Sequence, residues 1–596
     1  MFAILSISAY AIALALCFAG IGLGFKRLFT PSSIDQDDVL TAFWVGFAIA
    51  VCFLQIWHLF FAVTGRALAI VSLASAATWY WRLPAVSDWW RRLPRRSIVI
   101  GCLISLVVLL WIADNAAGSG NAWDSALYHI QTVRWNRSYP VVPGLANLND
   151  RLAFNSSSLL YAAMLEWGPW TGRSNHIAHA VLMWVLFLQI VLSGYRLMRA
   201  GKYPAGFFDL VLLAPAISIA ISIGISSLLT DVPVGIVIFV ACSRLYRLLT
   251  AEEVTTYDTL SVVILAALSI CLKASAIIVA PLLVAAALIR KREAIKWSAI
   301  AVACLIVPWM VHGSILSGYP LYPSTVGALP VDWRSPAQLA NATRLWITIS
   351  ARNVRFSQIM TALGFEWIPG WIRGLTRWGS TAHAWQWGTG IFGVLIPLSI
   401  TGLSVPLGKE RRDNRAWLLP GVLAIAAAIW FYTGPSPRFG FTIFWSFAAA
   451  AVAIAGSNLA GVRPVAVGVA FCMAGAAIIL PVPRHNIPWA IVRRIVVRPG
   501  ADHGFTPYEK SDTYAYRTDS GLVLNVPKGA DTCYDAPLPC TPYPAPNLLL
   551  AHAWDGRPKF ITNGQWRQIH WPNMRISDKQ VKAFMSILSL NGEGPK

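Results

Sequence analysis

The sequence predicts an α-helical polytopic membrane protein, on three observations. Of its 596 residues, 56% are hydrophobic and only 13% are charged, and the mean hydropathy is +0.57. A soluble protein carries about a quarter charged residues. Apolar runs of spanning length recur along the chain. The basic residues behind the net charge of +21 gather at the ends of those runs rather than on one polar module. That is the positive-inside arrangement, and it argues against a nucleic-acid-binding surface as the source of the charge. The 28 tryptophans fit interfacial belts and also fit stacking on sugars; composition does not separate the two.

The first apolar run, 3–24, has no basic residue before it and Lys26 and Arg27 after it. A secretory signal has the opposite charge order, so an uncleaved span with an outer N-terminus is expected. Spans follow at 40–64 and 66–81. The stretch RLPAVSDWWRRLPRR carries Arg91, Arg92, Arg95 and Arg96 and belongs on the cytoplasmic side. A fourth span, 97–113, then leads outward. The outer loop from Asp114 to about Asn175 holds the apolar stretch 156–164, too short to cross and expected as a re-entrant or interfacial helix.

Spans at 177–198, 207–224, 230–247, 258–272, 274–290 and 296–316 alternate from there. Arg196, Arg199, Lys202, Arg244, Arg247 and the run Arg290-Lys291-Arg292 all fall on the inner side. A second outer loop, 317–388, contains Tyr319-Pro320-Leu321-Tyr322-Pro323 and many tryptophans. Spans at 389–407, 415–432, 440–457 and 464–482 follow, with the basic loop 409–415 inside. The total is about fourteen transmembrane helices, with both ends of the chain outside.

Three parts are expected: an N-terminal three-span extension at 1–96, a transmembrane core at 97–482, and a polar, proline-rich tail at 483–596. The tail is long enough for a small extracytoplasmic domain, with short strand-like pieces at 521–526 and 547–552. Seven of the nine cysteines lie in or beside spans and read as small buried side chains. The other two, Cys533 and Cys540, stand in the tail as CYDAPLPC. In an oxidising compartment they would form a disulfide; in a cytoplasmic tail they would be free thiols.

The stretch 121–144, NAWDSALYHIQTVRWNRSYPVVPG, is the first long polar segment after the apolar spans. In an α-helix, Asp124, Tyr128, Gln131 and Trp135 share one face, Arg134 lies beside it and His129 points well away. Tyr139, Pro140 and Pro143-Gly144 stop the helix. An acid on an aromatic-rich segment just outside a span suits a reaction at the lipid–water boundary; it also suits an ordinary interfacial helix.

Asp231, in SSLLTDVPVG, begins a span. A carboxylate near hydrocarbon is costly and is a functional candidate by default, although Thr230-Asp231 before Pro233 is also how a helix is capped. Lys273, in ICLKASAII, and Arg438, in GPSPRFG, are cations at outer span boundaries. Both are suited to a phosphate head group, Arg438 bidentately and Lys273 as a point charge; snorkelling to ordinary phospholipid is the alternative. His176 and His179 are three apart, and His129 and His312 are also outer, but two histidines do not specify a metal site. No HExxH, CxxC, GxSxG, P-loop or strand-borne GxGxxG pattern occurs. No cofactor is specified, and a divalent metal is left open.

An acidic WDSALYH segment opening the first large outer loop, followed by TDVP at an outer span start, resembles the GT-C superfamily of integral membrane glycosyltransferases. Protein mannosyltransferases and lipid A aminoarabinose transferases belong to it. The resemblance covers about residues 97–450. The stretches YPVVPGLANLNDRLAFNSSS and CYDAPLPCTPYP are also similar to an uncharacterised group of bacterial multispanning proteins of this type.

The resemblance implies transfer of a sugar from a polyprenyl-phosphate donor to an acceptor on the outer face of the bacterial inner membrane, with inversion. It makes Asp124 the catalytic base or acceptor-positioning group. Tyr128, His129, Arg134, Asp231, Lys273 and Arg438 become the expected substrate-binding residues, the last two toward phosphate. It departs from the family where an acidic pair is common, since Ser125 follows Asp124 and the other acids there are Asp114 and Asp150. A ligase or polymerase of the O-antigen type, and a transporter or flippase for a lipid-linked sugar, are the rival readings. A transporter would show repeated halves and mid-depth charges; the chain shows no repeat. Sugar, acceptor and oligomeric state are not legible.

Overall fold

The computed structural model describes residues 1–30, 36–92, 94–354, 361–362, 364–376, 414–458 and 504–562. Among them, nine helices are long and apolar enough to cross a membrane: Phe2–Arg27, Val39–Phe60, Arg95–Ala116, Ser174–Arg199, Tyr203–Ala220, Asp231–Thr250, Arg292–Ser317, Arg415–Thr433 and Pro437–Ile454. The chain is a helical, membrane-embedded protein. The spans expected at 389–407 and 464–482, and the basic loop up to 413, lie outside the described residues.

Three other expected spans take different forms. The stretch 66–81 is part of a longer helix, Gly65–Arg92, which runs past Pro84 into the polar sequence SDWWRR. The stretches 258–272 and 274–290 become Thr256–Leu272, of 17 residues, and Ala280–Arg290, of 11. The break falls at Lys273, whose extended backbone ends the first helix and leads into the 3-10 turn Ala274–Ile278. Irregular backbone at such a position is tolerable only where protein supplies its hydrogen-bond partners.

The apolar helices pack around one large core. Phe18, Phe43, Phe47 and Tyr161 meet at ring separations of 5.0–6.0 Å and join the first two helices to the short helix Ser157–Leu165. All nine residues of that short helix are buried. Its first serine accepts a hydrogen bond from Gln55 Nε2 at 2.9 Å. The expected re-entrant or interfacial helix is therefore enclosed by protein.

At one end of the bundle the long loops and the described part of the tail form a second, smaller core. Tyr128, Trp135 and Val141 from the first loop meet Tyr319 and Tyr322 from the second and Phe560 from the tail. The tail folds as two antiparallel hairpins: β1 (Thr513–Arg517) with β2 (Val523–Pro527), and β3 (Leu548–His552) with β4 (Pro558–Thr562). β2 and β3 fall where the sequence places its strand-like pieces. Cys533 and Cys540 are joined as a disulfide.

Gly144 shows how close the docking is. Its φ is +69°, and a Cβ there would sit 2.1 Å from the Phe560 carbonyl oxygen, so no side chain fits. The Phe560 amide donates to the Pro143 carbonyl at 3.0 Å, and Asn147 Nδ2 donates to the Phe560 carbonyl at 3.0 Å. Three stretches that the sequence assigns to one side of the membrane, the 121–144 segment, the second loop and the tail, thus meet at one end.

Candidate functional site

The helix expected across 121–144 forms only in part. A π-helical turn, Ser125–His129, precedes the α-helix Ile130–Ser138. A π turn is wider than an α turn and is frequent at functional sites. It resets the phase of the side chains, so the single face drawn from α-helical spacing splits in two. Asp124 turns toward the transmembrane helices. Gln131 and Trp135 turn toward the tail: Gln131 Nε2 donates to the Tyr534 and Ala536 carbonyls, both at 2.9 Å, and Trp135 stands edge-on to Phe560 at 5.7 Å.

The other half of the site comes from the stretch before Asp231. Ser125 Oγ accepts from the Leu228 amide at 3.1 Å, Ser226 Oγ donates to the Ser119 carbonyl at 2.6 Å, and Asn175 Nδ2 donates to the Ser226 carbonyl at 2.8 Å. These bonds sew the loop before the helix Asp231–Thr250 to the loop that carries Asp124. Asp231 is the first residue of its helix, where the positive end of the helix dipole favours an acid. Its carboxylate bonds two cations: Lys273 Nζ on one oxygen and Arg438 Nε on the other.

Arg438 is the second residue of the helix Pro437–Asn458. Its turn is fixed by tryptophans. Trp430 Nε1 donates to the Ser436 carbonyl at 2.8 Å, and Trp371 Nε1 to the Pro435 carbonyl at 3.0 Å. The free end of the guanidinium, NH2, reaches Asp124 Oδ2 at 2.6 Å. One arginine therefore bridges Asp124 and Asp231, and Lys273 closes the cluster from behind, its ammonium 4.9 Å from the Phe439 ring. The Arg438 side chain is 38% exposed, against 18% for Asp124 and 19% for Asp231, so the cluster opens on the arginine side.

Burial alone would raise the Asp124 carboxyl. The Arg438 guanidinium, with His129 and Lys273 nearby, overrides this and holds it well below the usual carboxylate range. Burial pushes the His129 imidazole down to about 3, against the pull of Asp124, so the ring is neutral at physiological pH. Its Nδ1 is 3.4 Å from Ser125 Oγ, and its Nε2 has no hydrogen-bond partner among the described residues. Burial, with Asp124 beside it, pushes the Tyr128 phenol up.

Of the residues singled out by sequence, Asp124, Asp231, Lys273 and Arg438 are in direct contact. Tyr128 and His129 adjoin them, His129 because the π turn carries it away from the direction an α-helix would give it. Arg134 stands apart: its guanidinium donates to the Asp535 carbonyl in the tail. His176 and His179 bond different backbone groups: their Nδ1 atoms pair with the Ala116 and Gly224 carbonyls, at 2.7 and 2.8 Å. Among the described residues no group of three His, Cys, Asp or Glu side chains is placed to hold a metal ion. Arg151 lies on the 3-10 helix Asp150–Ala153, which packs beside Tyr128, and nothing in its sequence context, NDRLAF, marks it.

The chain belongs to the family described as "Domain of unknown function (DUF8201)", whose model matches residues 1–445. That match takes in Asp124, Asp231, Lys273 and Arg438. No curated protein and no solved structure matches the chain.

Proposed function

We propose that this member of the DUF8201 family is a membrane glycosyltransferase. It moves a sugar from a polyprenyl-phosphate donor to an acceptor hydroxyl on the outer face of the bacterial inner membrane. One observation carries the reading: a guanidinium at the mouth of a charge cluster bridges two carboxylates, Asp231 at the start of an apolar helix and Asp124 just before a π turn. A bridge of that kind can be opened by an incoming anion. Intramembrane and membrane-edge charges mark substrate pathways and sites by default.

In the resting cluster Asp124 is a weak base, because Arg438 favours its charged form. The donor phosphate competes with Asp124 for the exposed end of Arg438. As that contact passes to the phosphate, the Asp124 carboxylate regains proton affinity beside the acceptor. The acceptor oxygen forms its bond to the anomeric carbon as the bond from that carbon to the phosphate oxygen breaks. The bonding pair leaves with the lipid phosphate, and the hydroxyl proton passes to Asp124. Arg438 and Lys273 stabilise the charge that collects on the leaving group. Asp231 holds both cations in place, and a single displacement inverts the anomeric centre.

Asp124→Asn keeps size and hydrogen-bonding capacity and removes the charge. Transfer of radiolabelled sugar from a polyprenyl-phosphate donor to membrane acceptors should fall by about 10²–10⁴-fold, with the amount of protein in the membrane unchanged. Normal transfer by a well-expressed Asp124→Asn protein would remove the basis of this reading.

A further inference from the structure

The four charges of the cluster cancel: Asp124 and Asp231 against Lys273 and Arg438. A donor phosphate adds negative charge that this quartet does not offset. Arg151 is placed to offset it. It lies on the 3-10 helix Asp150–Ala153, whose Leu152 and Ala153 share a core with Leu127 and Tyr128. Phe154, the cap of that helix, stands edge-on to Tyr128 at 5.7 Å. The groups that act on the Arg151 charge are Asp150, Tyr543, Tyr128 and Asp124.

None of them bonds it. The Asp150 carboxylate takes its hydrogen bond from Thr343 Oγ1, at 2.6 Å. The Arg151 backbone amide bonds Asn149 Oδ1, but among the described residues the half-buried guanidinium makes no hydrogen bond and no ion pair. Burial opposes the Arg151 charge, but Asp150 and the other neighbours outweigh it, so the guanidinium stays charged while its donors are unoccupied among the described residues. A structural arginine in this position would be expected to bond a neighbour, as Arg137 bonds Glu166 at 2.7 Å. A planar fork with unused donors suits bidentate contact with a phosphate.

We propose that Arg151 is a substrate-binding residue that takes the phosphate group of the lipid-linked donor beside Asp124. The proposal rests on the glycosyltransferase reading above. Arg151 receives the phosphate oxygens that Arg438 does not, so the donor is clamped between two guanidiniums, one paired in the resting state and one not.

The test uses the purified full-length protein in nanodiscs of zwitterionic lipid. Farnesyl phosphate is the probe, with farnesol and inorganic phosphate as comparisons, and the melting temperature is the readout. Farnesyl phosphate should raise the melting temperature of the wild type, and the comparisons should not. Arg151→Gln should need roughly ten- to a hundredfold more farnesyl phosphate for the same rise, and Arg151→Lys should fall between. Without ligand, Arg151→Gln should melt close to the wild-type temperature, because the guanidinium makes no hydrogen bond or ion pair among the described residues.

Equal response of wild type and Arg151→Gln would overturn the assignment to Arg151 and leave the glycosyltransferase reading standing. No response of the wild type would overturn both. Protection by inorganic phosphate as strong as by farnesyl phosphate would make Arg151 part of a soluble-anion site and overturn the assignment to the lipid-linked donor. Should Arg151→Gln melt well below wild type, Arg151→Lys, which keeps the charge and loses the fork, decides by the same comparison.

Discussion

Two clusters of buried charge stand at different places in the helical bundle, and they are built differently. Between the helices Tyr203–Ala220 and Asp231–Thr250, Asp209 bonds Arg247 through one oxygen and accepts from Ser243 Oγ at 2.6 Å through the other. Its side chain is 2% exposed. Both carboxylate oxygens have partners, and the group is sealed. At the loop end, one arginine is shared by two carboxylates and stays open to whatever approaches it. A sealed pair that lost either charge would lose a buried contact between two helices, so its role is to hold them together. An open, shared pair can exchange partners at low cost. Charge at the edge of a membrane is thus not one kind of feature; the number of partners and the exposure separate a staple from a site.

The sharpest way to break that comparison is to neutralise one acid in each cluster. Asp124→Asn should abolish nearly all transfer, by about 10²–10⁴-fold, and leave expression intact. Asp209→Asn should do the reverse: Arg247 loses a buried, charged contact, at a cost of up to about 3–5 kcal/mol, seen as a lower melting temperature and less protein in the membrane. If both variants lost protein and activity in the same proportion, the distinction would fall.

Asp231→Asn should lie between the two. Asp231 bonds both cations, 207 residues away in sequence for Arg438. Losing its charge loosens both, and transfer should fall by roughly ten- to a hundredfold with some loss of melting temperature. An Asp231→Asn protein with wild-type transfer would mean that Asp231 is only the first residue of a helix.

A smaller effect is expected at the disulfide. The Cys533–Cys540 loop grips the segment that carries Asp124: the Tyr534 amide donates to the Ala126 carbonyl at 2.8 Å, and Gln131 and Arg134 donate back to its carbonyls. Replacing both cysteines with serine should destabilise the tail by less than about 3 kcal/mol, since the loop is short. It should also slow transfer by misplacing Asp124, without preventing membrane insertion. Unchanged transfer would show that the loop covers the segment and does not orient it.

The smallest effect concerns pH. The folded protein keeps His129 neutral, with its titration pushed down to about 3. The unfolded chain takes up a proton near pH 6.5, so below that pH the unfolded state binds more protons and stability falls as pH falls. His129→Gln should flatten this part of the melting-temperature profile. For Asp124 the sign is opposite in origin: its carboxyl is held below the usual range, so the stability from its pairing is present above about pH 4 and is lost only as the pH falls further. Neither group changes charge between pH 5 and 8. That holds for the free protein; with the donor phosphate on Arg438 the Asp124 carboxyl should titrate higher, so a pH dependence of transfer in that window would report the substrate complex.

Much of this protein can be read from its sequence because the bilayer imposes strict terms. Spans must be long and apolar, cations sit at their inner ends, and an acid at a span boundary must have a reason to be there. Those terms single out Asp124, Asp231, Lys273 and Arg438 and set the class of the protein; the outer placement they give the tail makes a Cys533–Cys540 disulfide the expectation. They could not say that the four charges meet. The Asp124–Arg438 bridge depends on how distant helices pack, and no local pattern encodes that.

The π turn at Ser125–His129 was likewise hidden, because one extra residue in a turn leaves composition unchanged while it redirects every later side chain. Period counting therefore put Gln131 and Trp135 with Asp124, and His129 away from it. Arg134 was a reasonable neighbour by spacing, but the tail supplied a nearer acceptor. Arg151 gave no signal at all, since an arginine after Asn-Asp looks like any solvated loop residue until its neighbours are seen to be bonded elsewhere. The sequence determined which residues could bear charge at the membrane boundary, because solvation is a local cost. The tertiary structure alone decided which of those charges cancel, which stay open and which are left over, because pairing is a property of distance in space.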